Sequence, residues 1–134
     1  MTLAQFRRCA LSFPGAEEGS HMGVADFRVG GRVFATLAHG EQGLGNLMLD
    51  PEEQAGLCEE LPEVFRPVAG GWGRMGITHI VLKAANKAIL EAALGLAYRR
   101  RVTKNDKAAK RKKPAAKPAS KRGRNLDLDQ GPTP

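Results

Sequence analysis

The chain has 134 residues, of which 42% are hydrophobic and 26% charged, and its formal net charge at pH 7 is +7. This length suits one domain and not two. No apolar run approaches the ~18 residues that a membrane-spanning helix needs, so we expect that no segment spans a membrane.

The first residues lack the basic start and the apolar stretch of a signal peptide, and we therefore expect a cytoplasmic protein. In that compartment the two cysteines, Cys9 and Cys58, stay reduced.

The first forty residues predict a helix, a short strand and a hairpin. Thr2 and Gln5 have the spacing of a capping box for a helix that ends at Pro14-Gly15. Residues 16–22 lead into a strand. Alternating apolar residues on both sides of Gly30-Gly31 then predict two strands joined by a tight turn. In the second strand, residues 33, 35 and 37 are expected on one face, with Phe34 and Thr36 on the other.

The middle of the chain predicts a loop at 38–43, a strand at 44–49 and a second helix. Asp50 can cap this helix, and Pro51 suits its first position. We expect the helix to end near Glu60 and to turn Ala55, Cys58 and Leu61 inward.

After an extended segment at 63–68, residues 70–73 predict a flexible glycine turn that carries the only tryptophan, Trp72. Residues 77–82 alternate as a last strand. Asn86 can cap a final helix that continues into Arg99–Arg101. From Thr103 the apolar periodicity ends, and a segment rich in Lys, Ala and Pro predicts disorder.

These elements predict an α+β fold, an antiparallel sheet covered on one face by helices, followed by a disordered basic C-terminal tail. We place the domain at residues 1–101 and the tail at 102–134, and we expect a monomer.

Several segments resemble the MmcQ/YjbR family of small bacterial proteins. They are Phe13-Pro14-Gly15-Ala16-Glu17-Glu18, residues 26–35, Pro51-Glu52-Glu53-Gln54, residues 71–76 and the end of the last helix at Ala97-Tyr98. The resemblance covers roughly residues 2–100 and implies a CyaY/frataxin-like α-β sandwich. The family also commonly carries the label of a DNA-binding protein, but it supplies no catalytic or base-reading residues to transfer. Iron binding by frataxin does not follow from a shared fold.

The motifs of common enzyme classes are missing from the sequence. Its three histidines, His21, His39 and His79, have no metal-ligand spacing, and the glycines match no phosphate-binding loop. We therefore expect no enzyme, no metal and no cofactor. Trp72 beside Arg74 could stack a base, but a tryptophan that caps the core is the favoured interpretation.

Charge is divided unevenly along the chain. Residues 1–98 hold eight Lys and Arg against eleven Asp and Glu, a net charge of −3, whereas residues 99–134 hold thirteen against three, a net charge of +10. A polycation of this kind predicts non-specific binding to the phosphates of nucleic acid, with DNA favoured over RNA.

The candidate nucleic-acid contacts fall in two groups. Those of the tail are Arg99, Arg100, Arg101, Lys104, Lys107, Lys110, Arg111, Lys112, Lys113, Lys117, Lys121, Arg122 and Arg124. Those of the domain are Arg28, Arg32 and Arg74, and alternation with Phe27 and Val29 turns Arg28 outward. The alternative, favoured by the mild acidity of the domain, is a module that binds a protein or a small ligand and has an incidental tail.

Overall fold

The computed structural model describes residues 1–112, with side chains through residue 109, and the second part of the predicted tail lies outside this range. In chain order the helices and strands are α1 (Leu3–Leu11), β1 (Glu17–His21), β2 (Val24–Val29), β3 (Arg32–Thr36), β4 (Leu44–Met48), α2 (Pro51–Glu60), β5 (Phe65–Pro67), α3 (Gly71–Arg74), β6 (Ile77–Val81) and α4 (Lys87–Lys112).

The six strands form one antiparallel sheet in the order β1-β2-β3-β4-β6-β5. Side chains from α1, α2 and α4 pack on one face of this sheet and form a single core. The predicted α+β class is therefore confirmed. No helix in the described range is long and apolar enough to cross a membrane.

Three helices begin at the residues that the sequence indicates. The Thr2 hydroxyl accepts from the backbone N–H of Gln5, whose side chain returns to the Thr2 backbone. Asp50 and Glu53 form the same reciprocal capping box at α2, with Pro51 in the first turn. The Asn86 side chain accepts from the backbone N–H of Ile89 at 2.8 Å. These bonds satisfy N–H groups that the first helical turn leaves without partners.

The central hairpin is also confirmed, with one correction. Gly30 and Gly31 have φ angles of +61° and +78°, which a tight hairpin turn requires. The register shifts between Phe27 and Arg28, however, so that the neighbouring residues Phe27 and Arg28 pair with Ala35 and Val33. The intervening Phe34 forms a bulge and is buried in the core beside Ala35. The expected strict alternation in this strand is therefore wrong at Phe34.

The core is centred on aromatic side chains. The Phe6 ring of α1 lies 5.9 Å from the ring of Phe27, and it also covers Gly45, where a Cβ atom would overlap the Phe6 ring. Tyr98 of α4 stacks on Phe13 and meets Phe34 edge to face. Each buried phenylalanine contributes about 1.5–3 kcal/mol to folding, so these contacts hold the helices on one face of the sheet.

Two expectations about the helices are wrong. In α2 the buried residue is Gln54, and Ala55 is exposed, because Gln54 bonds to backbone carbonyls across the fold. Helix α4 continues through residues 103–112, where disorder was expected. Lys, Arg and Ala are good helix formers, and extending an existing helix avoids the cost of nucleation.

Candidate functional site

The face of the sheet away from the helices carries a cavity of about 630 Å³. Its lining combines an apolar wall with a small group of polar side chains. The apolar residues are Met22, Val24, Val33, Ala38, Met48, Val68, Trp72 and Ile77. The polar residues are His21, Asp26, Arg28, Thr36, His39 and Asn46. Cavities of this size and composition are typical of small-ligand sites.

Asp26 and Arg28 form an ion pair inside the cavity. Arg28 Nε donates to Asp26 Oδ1 at 2.8 Å and Nη2 donates to Oδ2 at 3.0 Å, and Asp26 is only 5% exposed. This hydrogen bond and the negative charge of Asp26 raise the pKa of Arg28. Gly19 of β1 makes room for the pair, since a Cβ there would lie 2.8 Å from Arg28 Nε and from Asp26 Oδ1.

Arg28 was expected to point outward and to contribute to a basic surface. The structure places it on the open face, as alternation predicts, but its charge is balanced by Asp26. The two residues stand two apart on β2 and therefore share a face. The sequence showed this spacing, and the salt bridge could have been inferred from it.

Asn46 of β4 organises a second polar group, which the register places two strands away from Asp26, with Thr36 of β3 between them. Its Nδ2 atom donates to Thr36 Oγ1 at 3.1 Å and lies 3.0 Å from His39 Nδ1. Its Oδ1 atom lies 2.7 Å from His79 Nδ1. An amide nitrogen only donates and an amide oxygen only accepts. His39 Nδ1 is therefore the acceptor, and His79 Nδ1 carries a proton.

The two imidazoles meet edge to face, with ring centroids 4.8 Å apart. His79 is 8% exposed. Burial lowers its pKa, and the electrostatic effects of the neighbouring His39 and Arg66 lower it further. His79 is therefore a buried histidine whose ring is hydrogen-bonded to Asn46, and its contact with His39, forty residues away in sequence, was not predicted.

Trp72 projects from a tightly built segment at the rim of the cavity. A Cβ at Gly73 would collide with the Val68 carbonyl, and one at Gly76 with the Leu49 carbonyl. Gln54 Nε2 ties the segment down by donating to the carbonyls of Gly73 and Ile77 at 2.9 and 3.0 Å. The segment is a short helix, not the expected flexible turn. Trp72 itself is 65% exposed, so the expectation that it caps the core is wrong.

Met22 marks another point on the rim. It is 90% exposed, and its φ of +54° lies in the left-handed region, which costs a residue with a Cβ about 1–2 kcal/mol. Met22 and Gly23 together form the turn between β1 and β2, where both residues have positive φ. A strained turn therefore presents a long apolar side chain beside the cavity.

A second candidate surface is cationic. Arg32 at the start of β3 lies close enough to Arg101 of α4 for its charge to lower the pKa of Arg101, and Arg100 acts in the same direction. Desolvation is the largest cause of that shift. Arg100 Nε is buried and has no hydrogen-bond partner in the described part of the chain. We call Arg32, Arg100 and Arg101 the arginine cluster.

The other predicted contacts are distributed as follows. Arg74 lies on α3 beside Trp72, and Arg99, Lys104 and Lys107 are exposed on α4. Lys110, Arg111 and Lys112 belong to the last turn of that helix. Lys113, Lys117, Lys121, Arg122 and Arg124 lie outside the described residues.

Neither cysteine has the environment of a reactive thiol. Burial and the charge of Glu91 raise the pKa of Cys9, against a smaller opposite effect of Lys87, and burial also raises the pKa of Cys58. A raised pKa keeps a thiol protonated and a weak nucleophile. Within residues 1–112 no group of three His, Cys, Asp or Glu side chains could hold a metal ion.

Comparison with known proteins supports the resemblance read from the sequence. A solved structure of protein DR2400 from Deinococcus radiodurans, a DUF419 domain, superposes with a TM-score of 0.67 at 20% identity and covers 83% of this chain and 86% of that one. At this identity the likeness shows the fold alone. None of the curated proteins matches the chain. The YjbR family model matches residues 11–100, and the chain belongs to the YjbR family.

Proposed function

We propose that the protein is a cytoplasmic, non-enzymatic nucleic-acid-binding protein that contacts the phosphates of DNA without sequence preference. The contacts come from the arginine cluster, from the exposed basic residues of α4 and from the lysines and arginines that follow in the sequence.

The observation that carries the proposal is that the charges of Arg32 and Arg100 both act on Arg101 and lower its pKa. Clustered guanidinium groups repel one another, and desolvation adds to the cost of their charge. A phosphate group that binds beside these arginines would bring negative charge and acceptor oxygens to them. The cluster also lies at the end of the domain from which the basic segment continues.

The composition of the segment accounts for the expected lack of specificity. Base recognition needs side chains held rigidly against base edges, whereas phosphate contacts need only cations that reach the backbone. Each phosphate contact releases condensed counterions, so the logarithm of the affinity should fall by about 0.9 per contact for each tenfold increase in salt.

The test is a salt titration of duplex DNA binding by fluorescence anisotropy. The full chain is compared with a variant in which the eight Lys and Arg of residues 110–124 are changed to Gln. A matched control changes three exposed cations elsewhere, Arg8, Arg66 and Lys83, to Gln. We expect the first variant to lose most of the salt dependence and the control to retain it.

Arg32→Gln tests the contribution of the domain. Arg32 is exposed, so the substitution should leave folding intact and lower the salt slope by about 0.9. An unchanged slope would remove the arginine cluster from the interface. Absence of DNA binding by the full chain near physiological salt would contradict the proposed function.

A different observation favours a second function. The cavity of the open face is lined mainly by apolar side chains and encloses about 630 Å³, which suits a small ligand better than a phosphate chain. We propose that the domain is also a ligand-binding module.

A further inference from the structure

We propose that the cavity on the open face binds a small, flat apolar molecule that carries one carboxylate, with its ring against Trp72 and its carboxylate on Arg28 and His39. This inference rests on the ligand-binding function proposed above and is independent of nucleic-acid binding.

The apolar part of the ligand follows from the wall of the cavity. Trp72 and Met22 are 65% and 90% exposed at its rim, and Met48 lies on its floor. An exposed indole offers a flat face for stacking, and unbranched methionines adapt to the outline of a bound ring. Gln54 fixes the backbone of the segment that carries Trp72. Ligand binding therefore costs little conformational entropy in this segment.

The polar part of the ligand follows from a surplus of hydrogen-bond donors. Asp26 is the only acidic residue among the described residues that line the cavity, and both of its oxygens are bonded to Arg28. Arg28 has five N–H groups, of which these bonds use two. A ligand must therefore bring acceptor atoms to this end of the cavity.

The Asn46 network adds a second donor. Since His39 Nδ1 accepts from Asn46, the proton of neutral His39 must lie on Nε2. The amide thus fixes the tautomer in which the opposite ring nitrogen is a donor. Arg28 and His39 line the same cavity, and each is already oriented by its hydrogen bonds to Asp26 and Asn46.

The surrounding charge favours an anion over a neutral acceptor. Asp26 balances Arg28, and Arg66 on β5, in register with His79, adds positive charge that acts on this part of the sheet. A carboxylate fits better than a phosphate, because two planar oxygens match the edge of one guanidinium and the rest of the cavity is apolar.

The experiment uses the full chain and three probes that differ only in their polar group: 1-naphthoate, 1-naphthamide and 1-naphthylmethylamine. Trp72 is the only tryptophan, so its indole N–H gives a single indole signal in a ¹H–¹⁵N spectrum and reports directly on the cavity. We expect 1-naphthoate to shift this signal with a Kd of about 0.1–1 mM. The amide should bind about tenfold more weakly and the amine more weakly still.

Two substitutions locate the two ends of the ligand. Trp72→Ala should weaken the binding of naphthoate and of naphthamide by the same factor, about tenfold. Isothermal titration calorimetry measures both affinities. Met75→Ala is the matched control, since Met75 is 66% exposed on the same segment but does not line the cavity. Arg28→Lys keeps the positive charge but removes the planar pair of N–H donors that a guanidinium offers to a carboxylate. It should therefore reduce the preference for naphthoate over naphthamide.

The results separate the ligand class from the site itself. Equal binding of naphthoate and naphthamide would overturn the proposal that the ligand carries a carboxylate, and it would leave the ligand-binding function in place. Failure of all three probes to shift the Trp72 signal at millimolar concentration would overturn both. DNA binding is measured separately and is expected to be unchanged by saturating naphthoate.

Discussion

The two faces of the sheet are built from the same strands by different physical means. On the helix face, Phe6, Phe27 and Phe34 are fully buried, and a glycine at position 45 lets α1 approach the strand. On the open face, buried polar side chains satisfy one another through Asp26–Arg28 and through the amide of Asn46. The first arrangement fills the space between the helices and the sheet, whereas the second holds polar side chains in place along a cavity.

The comparison predicts its largest effect at two positions of β2 whose side chains lie on opposite faces of the sheet. Phe27→Ala removes a fully buried ring that contacts Phe6 and should lower the free energy of unfolding by about 3–5 kcal/mol. Val24→Ala on the same strand, which lines the cavity, should cost under about 1 kcal/mol because the site is partly open. Urea denaturation measures both. Similar losses would mean that the open face is packed as firmly as the core.

A smaller effect is expected at the centre of the polar network. Asn46→Ala leaves the Nδ1–H group of His79 buried without its partner and should lower the free energy of unfolding by about 1–3 kcal/mol. Thr36→Val removes a hydroxyl that accepts from Asn46 Nδ2 and from the exposed backbone N–H of Ala38, and it should cost about 1 kcal/mol or less. Histidine ¹⁵N shifts should also show mixed tautomers at His39 and His79 in the first variant. Unchanged tautomers would show that the amide does not fix them.

The two faces also differ in how well the sequence predicts them. The helix face follows from apolar periodicity and caps, so α1, the central hairpin and β6 were predicted from residues a few positions apart. The bulge at Phe34 was missed because a register shift depends on the partner strand.

The open face was harder to predict because its contacts are distant in sequence. Asn46 and His79 lie 33 residues apart, and only the pairing of β4 with β6 sets them side by side. The arginine cluster likewise joins Arg32 to the start of the basic segment at Arg100 and Arg101. The charge composition predicted the basic segment but not that Arg32 of β3 lies near its start. Only Asp26 and Arg28, two residues apart on one strand, offered a local signal.

The buried histidine gives the open face a dependence on pH that the core lacks. The pKa of His79 is lowered in the folded protein, so the unfolded chain binds its proton first as the pH falls. Stability should therefore be complete above the ordinary histidine pKa of about 6.5 and should decline below it until His79 is protonated in the folded state as well.

The slope should be a fraction of the ~1.4 kcal/mol per pH unit that one whole proton gives. Urea titrations from pH 7.5 to 5 should show this decline, and His79→Gln should reduce it. His39 and Arg66, which face His79, remain in the variant, so the difference between the two curves isolates His79. Equal slopes would show that His79 is not the group that titrates.

The smallest predicted effect concerns the strained turn at the rim. Met22→Asn places a residue that tolerates positive φ at the position where φ is +54°, and it should raise the free energy of unfolding by about 0.5–1 kcal/mol. The same change removes an exposed apolar side chain from the wall of the cavity, so naphthoate binding should weaken while stability rises. Differential scanning calorimetry and the Trp72 signal measure the two quantities on one sample. Higher stability together with weaker naphthoate binding would show that Met22 contacts the ligand at a cost in stability. Higher stability with unchanged binding would show that Met22 has a role in the turn alone.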